Sequence, residues 1–466
     1  MCLKNRYCKI KIAYANQDIV SAMEQKGVYK EILNLGIPSF LEALFNTFAS
    51  IIDSKMVAVM GVSAISAVSV TNQPRLFAFS IFFALNTVTS SLIAKYYGKK
   101  DRDGANRIFD HMLKLVTILS IVMGILLVIL ARPIMILFSG QPDTMNDSVI
   151  YFRIVMGGMI FNLLFMEINA ALRGYGKTKL TFASNVLSCV VNLFCNYLLI
   201  EGHWGFPALG MAGAAIATVL GTVAAFILCL VFAFRQNQFV NIPYCVRKRY
   251  HMTKESLQEI WTLTKSCVVD SISMRAALLV ISGITARIGS FYMSVYAIGM
   301  YLLNFNYALG TGLQTSAVAL IGRSYGEGST EKVNRFKNAH IRLGLICSIV
   351  LGLIIVAGGK WFYGFFSNDP KFIATGAGSC ALIGIASIAQ TQKFVFNGCL
   401  LGVGAMRDVM IASILGYSFI NLGTVALTVL VLHWGIWGVW LSVILSQSVQ
   451  AVVLFNFIRR NKAFSV

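Results

Sequence analysis

The chain has 466 residues, of which 57% are hydrophobic and only 12% charged, with a mean hydropathy of +0.72. Soluble domains carry about 25% charged residues, so one water-soluble core is excluded and lipid must be the solvent for much of the surface. A formal net charge of +20 would point to nucleic acid in a soluble protein, but here the charge sorts by loop and no nucleic-acid partner is expected.

A membrane-spanning helix needs about 20 mainly apolar residues, and the chain holds twelve such stretches. A basic segment comes first, with Lys4, Arg6, Lys9, Lys11, Lys26 and Lys30. It has no apolar signal-peptide core before residue 31 and is expected to be a cytoplasmic extension, 1–31. Spans follow near 34–58 and 64–94, then Lys99, Lys100, Arg102 and Arg107. The next two, 112–131 and 149–171, have Asp143 and Asp147 between them and Arg173, Lys177 and Lys179 after them. Spans near 179–201 and 209–233 enclose Glu201 and lead into a polar stretch, 234–258, with Arg247, Lys248 and Arg249. Spans near 260–285 and 291–321 precede Arg323, Lys332, Arg335 and Lys337, and those near 341–363 and 373–400 precede Arg407. The last two, 407–431 and 435–457, end at a tail with Arg459, Arg460 and Lys462.

Basic residues therefore mark every second loop, which by the positive-inside rule places both termini in the cytoplasm. Continuous apolar runs, in place of alternation, select helices over a barrel. The ten cysteines form no Cys-x-x-Cys pair, and most fall inside spans as small apolar residues, so neither metal nor disulfide is expected.

Shifted by 228 residues, the chain matches itself. Gly61 falls on Gly289, Thr87 on Thr315, and Lys95, Tyr97 and Gly98 on Arg323, Tyr325 and Gly326. Asn106-Arg107 falls on Asn334-Arg335, Phe138-Ser139 and Pro142 on Phe366-Ser367 and Pro370, and Asn169, Gly174 and Gly176 on Asn397, Gly402 and Gly404. Gly210 and Gly213 match Gly435 and Gly438 after a small drift. Each half holds an even number of spans, so the halves are parallel repeats about an axis along the membrane normal, an architecture suited to alternating access. The expected fold is an all-α integral membrane protein of twelve transmembrane helices in two pseudo-symmetric six-helix bundles. The expected division is an N-lobe 32–233, a cytoplasmic linker 234–258, a C-lobe 259–457 and a tail 458–466.

Charged groups at mid-bilayer are costly and need a reason. Glu42, Asn46 and Asp53 on the first span lie within about 40° of one another around the helix. Asn192 and Asn196 on the fifth stack one turn apart. The sixth opens with Gly210-Met-Ala-Gly213-Ala-Ala-Ile-Ala-Thr218, small enough for close packing, with a hydroxyl at Thr218. Asp53, Asn192, Asn196 and Thr218 together offer an oxygen cage for a small cation or a pocket for one proton. On the seventh span Asp270 repeats Glu42, with Arg275 nearby. Glu167, Gln390, Gln392 and Lys393 are further intramembrane polar groups. No phosphate-binding Gly-x-x-x-x-Gly-Lys-Ser/Thr occurs and the five histidines are scattered, so an enzyme is not expected.

From about residue 30 to 457 the chain resembles the multidrug and toxic compound extrusion transporters. The resemblance is carried by "LGIPSFLEALFNTFASIIDSKMVAVMG", the loops "AKYYGKKDRDGANR" and "GRSYGEGSTEKVNR", the turn "LRGYGKT", "GMAGAAIAT" and "DSISMRAALLVISGITARIG". It implies secondary antiport, in which organic and often cationic drugs leave as protons or sodium ions enter. The family's N-lobe coupling residues map onto Asp53, Asn192, Asn196 and Thr218, and some branches have an aspartate where this chain has Asn196. A second-lobe cation site would use Asp270, but no acid follows on the tenth span between Phe372 and Arg407. The expectations are a monomer in the bacterial inner membrane, with Glu42, Asn46, Glu167, Asp270, Arg275 and Gln390 as candidates for the substrate cavity or second lobe. The alternative on the same fold is a flippase for a lipid-linked glycan or envelope precursor, favoured if Arg75, Arg275 and Arg287 rim a lateral opening.

Overall fold

A computed structural model describes residues 2–139 and 142–465, with side chains from Lys26 onward except at 62, 63, 65, 139, 142, 143, 255 and 259. The basic residues Lys4 to Lys11, the cysteines Cys2 and Cys8, the repeat partners Ser139 and Pro142 and the loop acid Asp143 therefore have side chains outside the described residues.

Among the described residues helices joined by short turns make up nearly the whole chain, and there is no strand. The N-lobe comprises α1 (Cys2–Ala58), α2 (Val62–Gly98), α3 (Arg102–Ile129), α4 in two segments (Pro142–Gly157 and Met159–Gly174), α5 (Thr178–Leu199) and α6 (Gly210–Ala233). The C-lobe comprises α7 (Lys254–Ile288), α8 (Ser290–Gly326), α9 (Thr330–Gly364), α10 (Pro370–Gly402), α11 (Met406–Val431) and α12 (Ile436–Arg460). Among the described residues ten helices are long and apolar enough to span a membrane, and the bent α4 makes an eleventh. The twelfth, α8, has the length at 37 residues but is diluted by Asn304, Asn306, Tyr307 and Gln314.

The repeat is visible in the helix ends. Shifting α2 by 228 residues gives the first and last residues of α8, and the same shift carries the start of α3 to that of α9 and the start of α5 to that of α11. The repeated glycines sit where the chain must turn with positive φ: Gly61 and Gly289 at 109° and 133°, Gly176 and Gly404 at 87° and 84°, Gly210 and Gly435 at 53° and 58°. A Cβ is costly there, which is why these positions read through an otherwise diverged sequence. The lipid-facing surface repeats too. Ile118, Ile121, Val122 and Ile125 on α3 are exposed, as are their counterparts Ile346, Ile349, Val350 and Leu353 on α9. That spacing is one helix face, and in lipid an apolar face turned outward is the stable arrangement.

The halves differ in three places. The fourth span, expected as one stretch over 149–171, begins earlier and bends by 48° at Gly158. The pair Gly157-Gly158 becomes Ile385-Ala386 in α10, which runs unbroken, and paired glycines are a known cause of kinks. Pro133 ends the regular run of α3 and starts a short helix, Ala131–Ser139, whereas α9 continues to Gly364. In α11 the helix widens to π turns over Ile414–Asn421 and Ala426–Val431 where α5 stays α-helical. The 1–31 segment is helical, and α1 continues without a break from Cys2 into the span.

Between the lobes, α1 packs on α8, and symmetrically α7 packs on α2. The lobes touch backbone to backbone at the basic end. A Cβ on Gly98 would stand 1.9 Å from the Arg323 carbonyl oxygen, and one on Gly326 would stand 2.1 Å from that of Lys95. These four residues form two repeat-related pairs, so the pseudo-twofold axis runs between the ends of α2 and α8. The segment between the lobes is strapped to α3: Asn106 donates to the Phe239 carbonyl at 2.9 Å and accepts from the Asn241 backbone N–H at 2.9 Å.

Candidate functional site

Two polar regions lie inside the bundle. The first is within the N-lobe. The Asn196 amide donates to Asp53 Oδ1 at 2.5 Å and makes a longer contact of 3.4 Å to Asn192 Oδ1. The Asn192 amide in turn lies 3.4 Å from Thr218 Oγ1, whose hydroxyl donates to the Ala214 carbonyl at 3.0 Å. The four residues singled out in the sequence are thus brought together by α1, α5 and α6. The close approach of α6 to α5 has a sequence cause: a Cβ at Gly213 would meet the Leu199 carbonyl oxygen at 2.3 Å, and one at Gly221 the Ser188 carbonyl oxygen at 2.6 Å. Asn196 is fully buried, and its Oδ1 has no hydrogen-bond partner.

Two neighbours of this pocket were missed in the sequence. The Arg75 guanidinium, bonded to Asn72 Oδ1 at 2.9 Å, acts electrostatically on Asp53. Tyr151, only 4% exposed, reaches Thr218. Arg75 follows Pro74 inside α2, and Tyr151 lies on the first segment of α4. No local pattern in either segment signals the pocket, because both arrive from other helices.

The second region is a cavity of about 480 Å³ between the lobes. Glu42, Asn46, Asp270 and Arg275 line it, as do Lys393 and Arg173. The two acids are held alike. Asn185 donates to Glu42 Oε1 at 2.9 Å, Thr181 donates to its Oε2 at 3.1 Å, and Arg173 pairs with it at 3.2 Å. Ser413, the repeat counterpart of Asn185, donates to Asp270. Asp270 and Arg275, five residues apart, form no ion pair; the charge acting on Asp270 is that of Lys393. Lys393 donates to Tyr417 Oη at 2.7 Å. Asn185 was legible in principle: with Cys189, Asn192 and Asn196 it completes one polar stripe along α5.

Glu167 and Gln390 are not part of the cavity wall. Glu167 is buried and accepts from Thr89 at 2.7 Å, while its other oxygen has no partner. Gln390 accepts from Asn306 at 2.7 Å, in a buried network with Ser387 and Thr391. Arg75 and Arg275 belong to different regions and do not rim a common opening.

The C-lobe has no copy of the Asp53 pocket. Under the repeat Asp53 becomes Ile281, Asn192 becomes Ile420, Asn196 becomes Thr424, Thr218 becomes Val443 and Arg75 becomes Leu303. Ile281, Leu303 and Val443 are buried in one apolar cluster.

The chain matches the MatE family model over residues 38–198 and 267–430. It is 23% identical to the uncharacterized transporter YisQ of Bacillus subtilis over 91% of this chain and 93% of that protein. It is 23% identical to the probable multidrug resistance protein NorM of Thermotoga maritima, covering 90% and 89%. The multidrug export protein MepA of Staphylococcus saprophyticus is 22% identical, covering 92% and 93%. In fold it is similar to a MATE crystal structure in the bent conformation and to an outward-facing multidrug resistance MATE family transporter. Each gives a TM-score of 0.85 at 19% identity, over 93% of this chain and 95% of the other.

Proposed function

The chain belongs to the MatE family and is a multi-pass membrane transporter of the efflux type, not an enzyme; on that premise we propose that it is a bacterial inner-membrane antiporter, monomeric and with both termini cytoplasmic, in which Asp53 couples proton or sodium entry to export of amphipathic organic compounds. The observation that carries this reading is the linked set Asp53, Asn196, Asn192 and Thr218 inside the N-lobe.

The pocket has the parts of a switch. With Asp53 ionised, the Asn196 amide N–H group faces the carboxylate and its oxygen is left without a donor. A turned amide would set oxygen against carboxylate oxygen, which is repulsive until a proton or sodium ion lies between them. Cation arrival therefore removes the bond that ties α1 to α5 in its present form and allows a second arrangement. Coupling follows from the cation's different affinity for the two arrangements. The 11 residues from Glu42 to Asp53 put the pocket about 16 Å along α1 from the cavity acid, so α1 is the element through which ion and substrate communicate.

The test is dye or drug export from cells or proteoliposomes, with sodium and proton gradients collapsed separately. Export should stop when one of the two is lost, and Asp53→Asn should abolish it while the protein still reaches the membrane folded. Wild-type export from Asp53→Asn would sink the assignment.

A further inference from the structure

The charges in the central cavity do not suit an organic cation. Arg173, Arg275 and Lys393 face Glu42 and Asp270 there, a formal excess of one positive charge. Both acids already accept hydrogen bonds from the chain, Glu42 on both oxygens and Asp270 on one. Glu42 takes Arg173, Thr181 and Asn185 on its two oxygens, and Asp270 takes Ser413 and feels Lys393. A cationic ligand would have to displace these donors before meeting a carboxylate.

One basic group is left over. Arg275 makes no hydrogen bond or ion pair with any described residue, and its Nε is buried without a partner. Its guanidinium is held 5.1 Å from the centre of the Phe83 ring on α2, so it bridges the lobes in the cavity. The contact holds the group over the ring, and with no hydrogen bond made its N–H fork is open. A planar fork of this kind matches the two oxygens of a carboxylate, sulfonate or phosphate. Around it stand Phe83, Met274, Tyr307 and Phe394, with the Tyr307 and Phe394 rings edge to face at 5.2 Å.

We infer that this cavity takes an amphipathic organic anion, or the anionic end of a zwitterion, with its charged group on Arg275 and its apolar part against these rings. The inference rests on the transport reading for its biological sense, but binding itself needs no ion gradient and is tested apart from coupling. The source of the anion is either a water-soluble organic acid or an anionic lipid; the chemistry at Arg275 is the same.

The experiment measures equilibrium binding to the purified full chain in phosphatidylcholine nanodiscs. The probes are 2-naphthalenesulfonate, 2-naphthalenemethanol and 2-naphthylmethylammonium, which share one ring system and differ in charge. One desolvated charge-assisted contact predicts that the sulfonate binds at least about tenfold tighter than the ammonium. Arg275→Gln should remove that preference. Arg275→Lys, which keeps the charge but not the fork, should retain its direction at reduced size, and it serves if the glutamine variant fails to fold. Equal or tighter binding of the ammonium probe, or an unchanged preference in Arg275→Gln, would overturn the inference. Including phosphatidylglycerol in the disc assigns the source: displacement of the sulfonate supports a lipid anion, and retention supports a soluble acid. Wild-type export from Asp53→Asn with the binding preference intact would overturn Asp53 coupling and leave the cavity's selectivity standing.

Discussion

Asp53 and Ile281 occupy equivalent turns of α1 and α7, 228 residues apart, yet one faces Asn196 in a polar pocket and the other is fully buried in an apolar cluster. Duplication supplied the same scaffold twice, and the two lobes then took different interiors. A charge in the first position has an amide partner and a guanidinium nearby, whereas a charge in the second would have neither.

Ile281→Asp is therefore expected to destabilise the protein and not to create a second ion site. Its surroundings, Leu303 and Val443 among them, form an apolar cluster with neither an amide nor a guanidinium in the positions of Asn196 and Arg75, and burying an unpaired charge costs roughly 3–5 kcal/mol or more. Thermal unfolding in detergent should show a large drop. A stable Ile281→Asp variant with normal melting would contradict this account of the C-lobe.

Asn196→Ala should uncouple export almost as fully as loss of Asp53, because it removes the side-chain hydrogen bond donated to that carboxylate from α5. Asn192→Ala should be milder, since both of its contacts in the chain are long at 3.4 Å. Export rates under the driving gradient rank the variants, and a reversed order would mean that the link runs through Asn192 and Thr218 by another route.

Gly98→Leu should impair closure of the lobes at their basic end without unfolding either bundle. The clash is with backbone, the Arg323 carbonyl at 1.9 Å from an added Cβ, so no rotamer change relieves it. Overpacking costs about 1–3 kcal/mol, enough to shift a balance between two transporter states. Cysteine cross-linking between the ends of α2 and α8 should fall in the variant. Undiminished cross-linking would show that the contact is not needed for the closed state.

At the turn between α8 and α9, the Lys332 ammonium and the Arg323 guanidinium hold the Glu327 carboxyl below the usual carboxylate range, against a weaker opposing effect of burial. A folded value depressed below the unfolded one adds stability at neutral pH, and that stability is lost as pH falls below the ordinary value of 4.5. Both cations are about half exposed, so solvent screening limits the contribution to under about 1 kcal/mol. Glu327→Gln should thus lower the melting temperature slightly at pH 7 and by less at pH 3. An effect of equal size at both pH values would exclude the ion pairs as its origin.

Much of this protein was determined by the chain itself. Span count follows from runs of apolar residues, because a bilayer demands a minimum helix length. The duplication is legible because positive-φ turns and backbone contacts accept little but glycine, as at Gly176 and Gly404 or Gly98 and Gly326. Asp53, Asn192, Asn196 and Thr218 stood out because polar groups in lipid are too costly to be incidental. Tertiary structure alone decided how those groups are answered. Arg173 reads as a loop cation until it meets Glu42. Arg275 reads as a partner for Asp270 until packing sets it against Phe83 on the opposite lobe. A helix records which face a side chain shares, but the partner comes from another helix whose rotation and depth are set by the packing of the whole bundle. The sign of the charge presented to a substrate was therefore absent from any single segment and emerged only when two lobes closed around one cavity.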